Sequence, residues 1–90
     1  MNTNLETIVK RDGKRAPFDK KKILAAIEKS FLSLNISDIA TVANLTDQVV
    51  NLVVARYPQE VELTVENIQD IAEEILMKNG HFKVARNYIV

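Results

Sequence analysis

Lys10, Arg11, Lys14 and Arg15 crowd around the dipeptide Asp12-Gly13, and Asp19-Lys20-Lys21-Lys22 follows shortly after. Asp-Gly favours a tight hairpin turn, here expected as type I′, because glycine takes positive φ without a Cβ clash. Two short strands, residues 6–10 and 14–18, would then hold several cations around one turn. Pro17, which has no N–H, suits a strand end, and the Asp19 carboxylate suits a helix N-cap. Cations on a ribbon beside a helix N-terminus make a place for an anion carrying several charges. By itself the same pattern also describes a solvated surface ribbon.

Charge along the chain favours the anion. Net charge is zero, with twelve basic and twelve acidic residues. Residues 1–30 nonetheless hold eight of the basic and four of the acidic ones, about +4, which leaves about −4 for the remainder. The positive end is the hairpin end, so a compact anionic ligand there is better motivated than a long polyanion wrapped around the domain.

Catalytic chemistry finds no constellation. The chain has no cysteine, one histidine and two glycines, which excludes a disulfide framework, a thiolate zinc site and a Gly-x-x-x-x-Gly-Lys phosphate loop. Residues 60–74 carry carboxylates that read as solvated helix faces, with no matched acid and base. His81 has no second histidine or cysteine with which to share a metal. It reads as the cap or opening of the last helix.

The elements that must position the cations follow from periodicity. A first helix is expected from Asp19 to about Asn35, with Ile23, Ile27, Phe31 and Leu34 on one face. Ser37 or Asp38 caps a second helix reaching Tyr57 before Pro58, with a possible break at residues 44–47 capped by Asn44 or Thr46. Residues 60–63 alternate polar and apolar and are expected as a third strand beside the hairpin. Thr64 then caps a third helix whose buried stripe is Ile68, Ile71, Ala72, Ile75 and Leu76, closed by Asn79-Gly80. A last helix opens near His81 with Phe82, Ala85, Tyr88 and Ile89, and Met77, Phe82 and Tyr88 are expected in the core.

The resulting fold class is α+β, a small bundle of about four helices capped at one end by a three-stranded sheet that includes the N-terminal hairpin. One domain occupies residues 1–90. Its apolar pattern is still running at Val90, as in a fragment of a longer protein. No apolar run approaches a bilayer span, and Met1-Asn2-Thr3-Asn4 opens neither a signal nor a transit peptide, so a cytoplasmic protein is expected.

Val9-Lys10-Arg11-Asp12-Gly13, then Pro17-Phe18-Asp19 and Lys22-Ile23, resembles the opening of the ATP-cone, a regulatory nucleotide-binding domain found mostly at the N-terminus of ribonucleotide reductases. Glu74 to Ile89 resembles its closing segment, so the likeness covers nearly the whole chain. Lys20-Lys21-Lys22 and Asn79-Gly80-His81-Phe82 look most like the anaerobic class, whose parent enzyme is a ribonucleoside-triphosphate reductase. The resemblance implies a hairpin acting as a lid over a nucleotide, and a non-catalytic sensor of ATP, which activates, against dATP, which inhibits. Its implied partners are adenine nucleotides, magnesium with the triphosphate, and the rest of the reductase and its oligomer.

Carried over by position, the likeness puts Val9 beside the nucleotide, Lys10 on phosphate oxygens and Arg11 at the nucleotide's edge. The likeness has Asp19, besides capping the helix, hydrogen-bond near the nucleotide; from their place in the first helical turn, Lys22 offers a positive charge to a triphosphate and Ile23 an apolar wall to a base. Thr64, Val65 and Gln69 fall at the base-recognising positions, where an amide can both donate to and accept from adenine. His81 is a minority candidate for contact with a second nucleotide. Ala16 departs from the family's frequent glutamate, which removes one ribose contact. The rival reading is a small helical interaction domain whose basic hairpin binds a nucleic-acid backbone or an acidic partner, with steep salt dependence and indifference to the base. A third is a kinase carrying a cone-like N-terminus.

Overall fold

A computed structural model describes residues 7–57 and 62–88. Thr7–Val9 (β1) and Arg15–Pro17 (β2) form an antiparallel pair in the register Thr7↔Pro17, Ile8↔Ala16, Val9↔Arg15. The turn differs from the expected type I′. Gly13 N–H donates to the Lys10 carbonyl at 2.9 Å, so Arg11 and Asp12 are the central turn residues, and Gly13 alone takes the positive φ of 85°. A three-residue hairpin loop of this kind needs glycine only at its left-handed position. The Asp12 carboxylate locks the exit by accepting from Lys14 N–H at 2.9 Å.

Four helices follow: Lys20–Leu32 (α1), Ile39–Arg56 (α2), Val65–Lys78 (α3) and Phe82–Tyr88 (α4). α2 packs on α1 and α3, and α4 packs on the same two. The expected apolar faces meet in one core. Ile27 and Phe31 from α1 face Val42, Leu45, Val49 and Val53 from α2, while Ile71, Ala72, Ile75 and Leu76 of α3 and Val84 and Ala85 of α4 close it. Burying side chains of this size contributes about 1.5–3 kcal/mol each.

Local side chains start and stop these helices. Asp19, Asp38 and Thr64 accept from Lys21, Thr41 and Asn67 N–H respectively, and the Asn67 amide oxygen returns the bond to Thr64 N–H, which completes a capping box. α1 stops at Leu32 rather than near Asn35. There Ile36 N–H reaches the Phe31 carbonyl and Asn35 N–H that of Leu32, with Asn35 at φ 61°. Gly80 ends α3 the same way at φ 83°, so an asparagine and a glycine fill equivalent left-handed positions. α2 runs unbroken through residues 44–47, because Thr46 is buried and its hydroxyl donates back to the Val42 carbonyl at 2.8 Å.

The expected three-stranded sheet is corrected to two strands and one bridge. Val9 N–H donates to the Leu63 carbonyl at 2.8 Å, and Val9 pairs in parallel with Thr64 as an isolated bridge. Thr64 is already the cap of α3, so no extended backbone continues past it. Residues 60 and 61 of that call lie outside the described residues, as do Pro58, Ile89 and the first six residues. Two core assignments are also corrected: Met77 is 47% exposed and Phe82 61% exposed, because α4 meets α3 through Val84 and Ala85 instead.

Candidate functional site

A cavity of about 270 Å³ opens between the hairpin, the first turns of α1 and α3, and the end of α4. Its position follows from two backbone ties. The Val9–Leu63 hydrogen bond and the Val9–Thr64 bridge fasten the ribbon to the start of α3, while the short Phe18-Asp19 link fastens it to the start of α1. Two helix N-termini therefore face one space. The partial positive charge of each N-terminal turn favours an anion there.

Lys10 enters this space from the ribbon and Lys22 from α1, with Asp19 beside them. Among the described residues neither lysine is in an ion pair. Three nearby cations are paired: Arg15 with Glu62, Lys20 with Asp47, and Arg11 with Glu66 at 3.2 Å. Lys10 and Lys22 are the cations of the basic stretch that line the cavity, while Lys14 and Lys21 do not. Asp19 is turned to its cap, its carboxylate accepting from Lys21 N–H at 2.9 Å.

The opposite wall is apolar: Ile8, Ala16, Phe18, Ile23, Ala26, Val65 and Ile68. Gln69 supplies an amide and Tyr88 a phenol to the same lining. Burial pushes the Tyr88 phenol above its ordinary value, so it stays a neutral hydroxyl in the physiological range. The arrangement can receive a flat apolar group with polar edges inside, and a multiply charged anion at the margin.

Of the residues picked from sequence, Lys10, Asp19, Lys22, Ile23, Val65 and Gln69 come together in this lining. Val9 and Thr64 form its frame through the bridge and the capping box. Arg11 sits at the hairpin tip and donates from Nη2 to Gln69 Oε1 at 2.9 Å. His81 does not line the cavity; its ring stands edge-on to Phe31 with centroids 5.2 Å apart. Tyr88 was missed as a lining residue because helical spacing alone makes it a core position. Glu66 lies in the first turn of α3, and nothing local in the sequence shows that Arg11 reaches it.

Among the described residues no three His, Asp or Glu side chains gather as a metal cage, and no helix is long and apolar enough to cross a membrane.

The chain is 37% identical over 95 residues to the ribonucleoside-diphosphate reductase subunit alpha of Chlamydia pneumoniae, covering 99% of this chain and 9% of that protein. It is 37% identical over 82 residues to the anaerobic ribonucleoside-triphosphate reductase of Haemophilus influenzae, covering 91% of this chain and 11% of that one. A vitamin B12-dependent ribonucleoside-diphosphate reductase of Thermoplasma acidophilum is 36% identical over 91 residues, covering 96% and 11%. The chain thus spans about a tenth of the length of these relatives, and their names cover three kinds of reductase. A family model described as the ATP cone domain matches residues 6–90, and with it the chain belongs to the ATP cone domain family.

Proposed function

We propose that this domain is a non-catalytic allosteric sensor that binds ATP or dATP in the cavity between hairpin, α1 and α3, and controls the overall activity of a ribonucleotide reductase. The carrying observation is that Lys10 and Lys22, in no ion pair among the described residues, line one cavity with an apolar wall at the N-termini of two helices. The cavity is sized for a base, which leaves the triphosphate at the cationic margin. Lys10 and Lys22 neutralise phosphate oxygens, Ile23 and Val65 flank the base, and the Gln69 amide meets its polar edge. Asp19 is the one carboxylate among the described residues that line the cavity, and position 16 is alanine. Magnesium would come with the triphosphate, since no group of three carboxylates or histidines among the described residues would hold it alone.

In this reading ATP leaves the parent enzyme active and dATP inhibits it, in a cytoplasmic enzyme and through its oligomer. The physical requirement is differential affinity: a ligand that binds both arrangements of the cone and its neighbours equally shifts neither. The test is calorimetric titration of the chain with ATP, dATP and GTP at two salt concentrations. Saturable, adenine-selective binding is expected, weakened at least about tenfold by Lys22→Ala, the scale of one charge-assisted hydrogen bond. Binding that ignores the base and collapses with salt would transfer the hairpin to a nucleic-acid or acidic partner.

A further inference from the structure

The hairpin tip reaches across to α3 beside the cavity. Arg11 Nη2 donates to Gln69 Oε1 at 2.9 Å, and Arg11 Nε pairs with Glu66 at 3.2 Å, one helical turn before Gln69. A guanidinium has only donors, so the amide atom facing it must be the oxygen. The Gln69 Nε2 amino group has no partner among the described residues, and Gln69 lines the cavity.

We propose that Arg11, held by Glu66, is a positioning residue for base choice: it pins the Gln69 amide in the orientation that pairs with adenine and blocks the half-turn that would serve a 6-oxopurine. The inference rests on the nucleotide reading above. Adenine offers an N6 amino donor beside an N1 acceptor, whereas hypoxanthine and guanine offer an O6 acceptor beside an N1–H donor. The terminal torsion of glutamine is soft, so an unrestrained amide turns over and serves either edge. With Oε1 fixed on Arg11, the second lone pair of that oxygen accepts from N6 and Nε2 donates to N1. A 6-oxopurine then meets donor against donor, which leaves polar groups unpaired in a partly dry site.

Titration of the whole chain with ATP and ITP tests this, because the two share shape and phosphates and differ at positions 1 and 6 of the base. The wild type is expected to favour ATP. Arg11→Ala is expected to lower the ATP-to-ITP affinity ratio about tenfold, Glu66→Gln to lower it in the same direction, and Arg11→Lys, which keeps a donor, to retain most of it. Gln69→Glu, whose carboxylate only accepts, meets one donor and one acceptor on either base edge and is expected to bring the ATP-to-ITP ratio toward one. A wild type that binds neither nucleotide overturns the nucleotide reading and this inference together. A wild type that binds both equally, or a ratio unchanged by Arg11→Ala and Glu66→Gln, overturns this inference alone. Arg11 and Glu66 are exposed, so thermal melting of the variants is expected to match the wild type.

Discussion

Lys10 and Lys22 belong to different elements, and their value to a ligand comes from what they lack. Each neighbouring cation that finds a carboxylate, as Arg15 finds Glu62 and Lys20 finds Asp47, is partly neutralised before any anion arrives. Tyr88 adds a different contribution, a half-buried ring on the apolar wall with its hydroxyl kept neutral by burial. Tyr88→Phe is therefore expected to keep nucleotide affinity within about threefold, while Tyr88→Ala is expected to lose about tenfold by removing the ring. Calorimetry on both variants checks it, with a fold control by circular dichroism. Equal losses for both would place the binding contribution in the hydroxyl instead of the ring.

Elements are joined by few polar ties, and these set the pH response. Arg56 forks onto the Glu74 carboxylate at 2.7 and 3.0 Å, linking α2 to α3, and this holds Glu74 below its ordinary value. Hydrogen bonds from Thr41 do the same for Asp38 at the start of α2. Both groups release protons on folding, so their contribution is complete above the ordinary values of 3.8 and 4.5 and fades as pH falls through the lower folded values. Tyr88 acts with the opposite sign. Its raised value makes its contribution complete below the ordinary 10.0, and it is lost as pH rises beyond that. Urea midpoints are expected to be flat between about pH 5 and 9 and to drop on both sides. Glu74→Gln is expected to flatten part of the acid limb, and an unchanged limb would show that this exposed pair contributes nothing measurable.

At the scale of the whole molecule, one core serves ninety residues, so the margin of stability is thin. Ile27→Ala, at a position with 0% exposure where α1 meets its neighbours, is expected to remove about 2–5 kcal/mol. Leu32→Ala, on the same helix but 51% exposed, is expected to change stability by less than about 0.5 kcal/mol. Urea unfolding of both variants separates them. Comparable losses would mean that Leu32 is covered in the folded protein. The helices, their stripes and their caps were legible in the residues themselves, because apolar spacing of three and four, an Asx or Thr cap and a closing Gly act over one or two turns. The basic ribbon leading into a capped helix was equally local, and so was the family likeness it carries. Contacts between distant parts of the chain were not. Residues 60–63 alternate as a strand does, yet only the docking of Val9 on Leu63 and Thr64 decides that a single bridge forms. Helical spacing put Met77, Phe82 and Tyr88 in the core, but the crossing of α4 on α1 and α3 exposes the first two, while Tyr88 packs against the core and also lines the cavity. Arg11 meets Gln69 across 58 positions of sequence, a distance over which no periodicity carries information. The chain by itself determined which segments coil and where the positive charge lies; tertiary packing alone decided which cations stay unpaired and what shares their cavity, because pairing depends on which surfaces the folded core brings within a few ångströms.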